Sequence, residues 1–502
     1  MPSQGRSALP MAALALVATG CTVGPDFVEP SPSPSMPSQF KLPQADPSNA
    51  ISRVTADPAE IARWWTNFQD PTLTSLIERA AAANLGVQAA EARIRQARAA
   101  SGIASAAWWP QVNSRASALR TIDAPGSRNE GSNVFLAGFD ASWEIDLFGG
   151  TRRAVEAADA GIDAAVADRR AVLSSLAAEI GLDYTALRSA QARLDIARRN
   201  LETQQKSLDL TRRQLAAGFV GKLDFANAEA QVASTLSVIP LLEAAERQSI
   251  YAIGVLLDVE PTSLEDELLG GADRVPPAVP PNVPAGLPSE LLLRRPDIRR
   301  AEAELHAATA NIGVATAELF PSFSLTGAFG FQSTQLSSLF NGNGSALAFG
   351  PSVQWPLFQG GRIRANIALN QAKADEALDN YRQVVLSALG DVQSVLIAYA
   401  REQDHRSALT RAVDANQRAT DISIELYRGG ETDFLNVITA QRSLLVSEDA
   451  LALSDAALAT DLIGLYKALG GGWEAFEPKE RDADEGGTVS DGGAVEGGKV
   501  SG

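Results

Sequence analysis

The sequence predicts a mainly α-helical chain built on long coiled-coil rods, with two blocks of β-strand between them and one order of elements occurring twice. Three observations predict this. Leu173, Ile180, Leu187, Leu194, Leu201, Leu208 and Leu215 fall seven residues apart within 150–218, which is the spacing of a coiled-coil seam. The same register returns as Val385, Val392, Tyr399, Val413 and Tyr427, with Arg406 and Thr420 interrupting it. Ahead of each rod the apolar period changes to two, as in a strand with one greasy face.

Taken in order, residues 1–20 carry Arg6, an apolar run over 8–17 and then Ala18-Thr19-Gly20, the pattern of an export signal. A small residue directly before Cys21 resembles a lipobox, in which the thiol is acylated and becomes the new N-terminus. Ala18 departs from the usual leucine there, and an ordinary signal peptide followed by a free thiol is the alternative. Thr22, in place of aspartate, implies sorting to the outer membrane. Several acyl chains anchor stably where one does not, at about 0.8 kcal/mol per buried methylene. The lipidated segment 21–56 is rich in proline and serine over 25–47 and reads as an extended spacer.

The first copy of the repeated unit occupies 57–270. Packing begins at Trp64-Trp65, and one helix is expected over 70–107, stopping at Trp109-Pro110. Strands follow over 111–122 and 135–147. In the second, Phe135, Ala137, Phe139, Ala141, Trp143, Ile145 and Leu147 alternate with residues that include Asp140, Ser142 and Glu144. That alternation fits either a half-buried soluble strand or a transmembrane strand with lipid on one side and water on the other. Leu147-Phe148-Gly149-Gly150 opens the rod, which at 1.5 Å per residue is roughly 100 Å long. Ala217-Gly218 caps it, and a return helix runs from Leu223 to about Leu257.

A proline-dense connector, 271–288, separates the copies. The second copy, 289–473, has a helix expected over 288–319, then alternation at Phe323, Leu325, Phe329 and Phe331 and again at Leu347, Phe349, Val353, Trp355 and Leu357. Pro351 and Pro356 are awkward in paired strands. Leu357-Phe358-Gln359-Gly360-Gly361 opens a second rod to Arg428, and a Gly429-Gly430 turn leads to a return helix ending near Leu469. Residues 474–502 are rich in Asp, Glu and Gly and read as an acidic disordered tail.

Composition excludes several classes. The net charge of −17 without clustered Lys or Arg argues against nucleic acid. The only cysteine is Cys21, so there are no internal disulfides and no CxxC metal site. His306 and His405 stand in separate predicted helices and read as surface or packing residues. With no nucleophile–base pair, metal cluster or phosphate loop, no enzyme and no cofactor beyond a lipid on Cys21 is expected. The arginines of Arg294-Arg295-Pro296-Asp297 are expected to pair with Glu290 or Glu302, with Pro296 near a helix start. Beyond the first twenty residues no run of eighteen apolar residues is found, so no transmembrane helix is expected and any span must be a β-barrel.

The stretch LLLRRPDIRRAEAELHAATANIGVATAELFPSFS, 291–324, resembles the signature of the TolC-like outer-membrane factors, in the NodT-type lipoprotein branch that serves efflux pumps. Supporting motifs are VGPDF after Cys21, WWTNFQDPTLTSLI from Trp64, GPSVQWPLFQGG from Gly350 and YRGGETDFLNVITAQRSLL from Tyr427. The resemblance implies a homotrimer in which each chain gives four strands to a twelve-stranded outer-membrane barrel and its helices to a long periplasmic α-barrel. It also implies two partners, an inner-membrane efflux pump and a periplasmic adaptor, with solutes led through the duct and out of the cell.

The closed end would lie at the two tips, near Gly218 and Gly429. The family motif there resembles Tyr-x-x-Gly…Leu-Asp-x-x-Asp-Ala, matched by Tyr427, Gly430, Leu435, Asn436, Thr439 and Ala440, so both carboxylates are replaced. Leu435 carries over as a candidate apolar ring, and Asn436 and Thr439 as neutral lining. Asp224, Glu431 and Asp433 are candidate acidic lining, or else solvated turn acids and N-caps. Tyr427, Arg428 and Arg442 are candidates for linking adjacent helix pairs at the gate. A protein-secretion duct and a periplasmic coiled-coil adaptor are the competing readings.

Overall fold

The computed structural model describes residues 22–30, 37, 39–41, 50–55, 61–122, 132–270, 275–341 and 344–477. The cleavage and acylation pattern, Cys21 included, lies outside them, as does the acidic tail beyond 477.

Strand β1 (Arg53–Thr55) precedes helices α1 (Pro71–Ala83) and α2 (Leu85–Ser105). The single helix expected here is broken at Asn84. Its side-chain oxygen accepts from Gly86 N and Val87 N at 2.8 and 3.2 Å, capping α2, while its amide donates to Leu256 O at 2.8 Å. Strands β2 (Gln111–Thr121) and β3 (Ser132–Ile145) lead to the first rod, α3 (Gly150–Ala216), and its return helix α4 (Lys222–Leu256). The short α5 (Glu265–Leu269) follows, then β4 (Asn282–Pro284), which pairs in parallel with β1, so the proline-dense connector contributes one short strand.

Helices α6 (Pro288–Arg294) and α7 (Pro296–Ala317) again replace one expected helix. Arg295, held extended before Pro296, makes the break. Its guanidinium reaches Asp297 at 2.7 Å, Asp391 at 3.3 Å and Ala468 O at 2.9 Å, while Arg294 lies 3.8 Å from Glu290 and it is Arg299 that takes Glu302. Strands β5 (Ser322–Ser333) and β6 (Ser345–Gln354), the second rod α8 (Arg362–Gly429) and its return helix α9 (Phe434–Ala468) complete the chain. Leu147, Trp355 and Leu357 fall just past the strand ends.

The seam holds in the upper half of each rod: Leu173, Ile180, Leu187 and Leu194 are buried, as are Val385, Val392 and Tyr399. Lower down, Leu201, Leu208 and Leu215 are only half-buried and Gln204 and Thr211 take the inner places. Thr420 does not interrupt the second seam. It is buried, its hydroxyl donating back to Asn416 O at 2.8 Å. The absence of a membrane-length helix also needs correcting, because α8 contains an 18-residue stretch apolar and uncharged enough to span. Scattered serines and glutamines hid it from a search for unbroken runs. A third of that stretch is buried within the chain, against neighbouring helices.

One large core gathers midway down the rods, around Trp64, Trp65, Leu73, Tyr184, Tyr399 and Tyr466. Trp64 stacks on Tyr466 at 5.5 Å and Trp65 on Phe476 at 5.6 Å. Packing therefore extends beyond the expected start of the tail, with Glu477 2.9 Å from Arg170.

Candidate functional site

The four long strands form one antiparallel sheet in the order β2-β3-β5-β6. Its register fixes two faces, because side chains alternate. Phe139 is opposite Phe329, Trp143 opposite Leu325 and Ile145 opposite Phe323, and β6 adds Leu347, Phe349 and Val353 in the same rows. Asn113, Asp140, Glu144, Ser324, Thr326, Ser352 and Gln354 occupy the other face, where Asn113 donates to Asp140 at 3.3 Å. Pro351 lies on β6, which has one unpaired side within the chain. At the helix-side end, Trp143 Nε1 donates to Trp108 O at 3.0 Å and Trp355 Nε1 to Leu319 O at 3.1 Å, and Phe148 stacks on Phe320 at 4.6 Å. Indoles with a bonded tip and a ring that is exposed, as in Trp355, or half-buried, as in Trp143, suit a membrane–water boundary.

The segment 22–30 is a docked strap, more than a spacer. Val23 N donates to Phe148 O at 3.0 Å, Asp26 meets the buried Arg153 at 2.5 Å, and Phe27 stacks on His306 at 4.3 Å. His306 Nε2 lies 3.0 Å from Glu156, so this histidine packs, as its sequence context suggests. A β-carbon on Gly149 would fall 2.7 Å from Thr22, which places the residue after Cys21 at the strand–helix boundary.

At the far end both rods close in the same way. Gly218 (φ +79°) and Gly430 (φ +74°) take the left-handed conformation, and Phe219 N reaches Gln214 O and Glu431 N reaches Leu426 O, each at 2.9 Å. These are Schellman caps, for which glycine is the unstrained residue. A small core of Ala228, Tyr427, Phe434, Val437 and Ile438 joins the tips. Tyr427 is buried inside it, tilted on Phe434 at 5.0 Å, with its hydroxyl pushed above its ordinary pKa by burial. Leu208 and Leu210 of the first rod pack against this core, so Tyr427 sits between the two rods of the chain. Arg442 does cross between helix pairs, its guanidinium donating to Gln231 Oε1 at 3.2 Å, and Gln441 Nε2 donates to Ser207 at 2.9 Å. Sequence reasoning missed Gln231, Gln441 and Ser207, because a neutral pair across distant helices leaves no local pattern.

Leu435, Asn436, Thr439 and Arg442 are all exposed along one side of α9. Asn436 donates to Thr432 at 2.7 Å and Thr439 to Leu435 O at 2.8 Å. Glu431 and Asp433 are exposed in the turn. Asp224 is half-buried and accepts from Gly221 N at 3.3 Å, as a helix-start acid does. Arg428, at the rod end, has no ion pair among the described residues. These groups can line, bond and repel, and none is set beside a nucleophile. Among the described residues no group of three or more metal-ligating side chains gathers.

The sequence profile of the family described as outer membrane efflux protein matches residues 76–256 and again 287–471. The chain belongs to this family. It is 33% identical to nodulation protein T of Rhizobium leguminosarum bv. trifolii, over 87% of this chain and 91% of that protein. It is equally 33% identical to the cation efflux system protein CusC of Escherichia coli O6:H1, covering 92% and 98%. Among solved structures, the outer-membrane channel OprN superposes with a TM-score of 0.81 at 38% identity, over 90% of this chain and all of OprN's. This outer membrane efflux protein is thus mainly helical, resides in the outer membrane and serves as the channel of an efflux system.

Proposed function

We propose that three copies assemble into one conduit, a twelve-stranded transmembrane barrel continued by an α-barrel, which carries small molecules from an inner-membrane pump and a periplasmic adaptor out of the cell. The observation that carries it is a shared pair of open ends. The sheet runs β2-β3-β5-β6, the helices beside it run α2-α3-α7-α8, and those toward the tips run α4-α3-α9-α8. In every layer the same sides stay open, β2, α2 and α4 on one and β6 and α8 on the other. Four strands cannot close alone, and unpaired edges are costly in lipid. A head-to-tail contact between these sides generates a ring. The exposed apolar side chains of α8, among them Leu369, Leu386 and Ile397, fall on this open side.

Cys21 is the lipid attachment point: Thr22 docks at the boundary marked by Trp108, Trp143 and Trp355, within reach of the inner leaflet surface. Segments 1–20, 21–56, 57–270, 271–288, 289–473 and 474–502 are the signal, the anchor strap, two repeated units with their connector, and the acidic tail. Gate formation falls to the tips, where Leu435 gives an apolar constriction, Asn436 and Thr439 neutral lining, and Arg442 with Gln231 a tie between helix pairs. Tyr427 supports that gate from within its core, while Glu431 and Asp433, with Asp224 behind them, supply the acidic rim.

Planar-bilayer recording of the purified protein tests this. Small unitary currents are expected, rising when Arg442→Ala removes the tie. Inserted trimers silent both as wild type and as Arg442→Ala would overturn it.

A further inference from the structure

Inside the chain, α3 meets α7 through one close joint. A β-carbon on Gly313 would lie 2.6 Å from Arg153 Cγ and 3.0 Å from its Nε, so the arginine stem runs directly over the glycine. Arg153 is buried there, with Glu156 at 2.8 Å and Asp26 at 2.5 Å from its guanidinium. The glycine is required because any side chain would push the two helices apart.

Both halves of such a joint exist a second time, unassembled. Arg364 follows Gly360-Gly361 at the spacing with which Arg153 follows Gly149-Gly150, and Gly102 precedes Trp109-Pro110 as Gly313 precedes Phe320-Pro321. Yet Arg364 is exposed and has no ion pair or hydrogen bond among the described residues. A β-carbon on Gly102 would meet nothing within 4 Å. Glycine in a helix interior costs stability relative to alanine, and within one chain this one gains nothing in return. Its neighbour Ile103 is 76% exposed. Gly102 lies on α2 and Arg364 on α8, the two helices left without a neighbour on opposite sides of the chain.

We propose that Arg364 of one copy lays its stem across Gly102 of the next, repeating between copies the Arg153–Gly313 joint made within each. Asp159, which accepts from Ser101 at 2.6 Å, stands beside Gly102 and supplies a carboxylate for the incoming guanidinium. The partner surface is therefore a second copy of this chain, with Ile103 covered as the helices close. This rests on the ring assembly proposed above and names the contact that sets its spacing.

Cysteine crosslinking of the full chain in membranes tests it. Gly102→Cys combined with Arg364→Cys, oxidised with copper–phenanthroline, is expected to give covalent dimers and trimers on denaturing gels, absent from either single variant. Gly102→Leu is expected to abolish the trimer and Gly102→Ala to weaken it, although both residues form helix better than glycine. No covalent product from a double variant that still sizes as a trimer would overturn the joint and leave the ring intact. Monomers throughout, wild type included, would overturn the ring and the joint with it.

Discussion

Single residues decide the charge of the path. Asn436 and Thr439 stand where the family motif carries carboxylates, so the acidic groups left at the second tip are Glu431 and Asp433. Neutralising these two as Glu431→Gln and Asp433→Asn is expected to move the reversal potential toward zero cation preference, and Asn436→Asp to move it the other way, since symmetry turns one acid into a ring. Unchanged selectivity in all three would remove the tip from the filter. Elsewhere, burial pushes the Asp183 carboxyl up to about 6, with Glu179 adding to it, and burial does the same to Asp461 beside Glu402. A folded pKa above the unfolded one makes the folded chain hold protons that the unfolded chain releases between about pH 4 and 6. The associated stability is present below that window and lost as pH rises through it. Asp183→Asn is therefore expected to raise the melting temperature at pH 7.5 and to leave it nearly unchanged at about pH 3, below both pKa values. An equal gain at both pH values would contradict the assignment.

Among elements, the rods show where sequence patterns inform and where they stop. An unbroken heptad located the first long helix and an interrupted one the second, and glycine signals located the Gly218 and Gly430 turns, because seam and cap signals are local. The break at Asn84 escaped, since a mid-pattern asparagine cap barely disturbs apolar periodicity, whereas Pro296 marked the helix start that follows Arg295. Leucines at 201, 208 and 215 keep the seven-residue spacing although the chain buries Gln204 and Thr211 in their stead. Neither amide atom of Gln204 has a partner among the described residues, and a buried unmet polar group costs about 1–3 kcal/mol. Gln204→Leu is thus expected to stabilise the lower rods by about that amount, visible as slower amide hydrogen exchange in α3 and α9 near the tips. Faster exchange there would show that the polar layer holds the rods together. The strap escaped too. Its proline-rich composition says extended, and nothing in it announces the buried Arg153 or the stacked His306.

On the scale of the whole molecule, the alternating strands gave the two faces of the sheet, but alternation by itself left soluble and membrane readings open. The register lines phenylalanines and leucines of three strands into one continuous exposed face, which is what the membrane reading requires. Closure, as proposed, is invisible in any one chain and rests on the shared open sides of sheet and helices. Electron cryomicroscopy of the full chain in lipid nanodiscs tests that claim most directly. A three-fold particle is expected, with β6 paired to β2 of the next copy, α8 beside the next α2 and α4, and one continuous central lumen. Monomers, or an assembly in which β2 and β6 stay unpaired in the lipid, would contradict it.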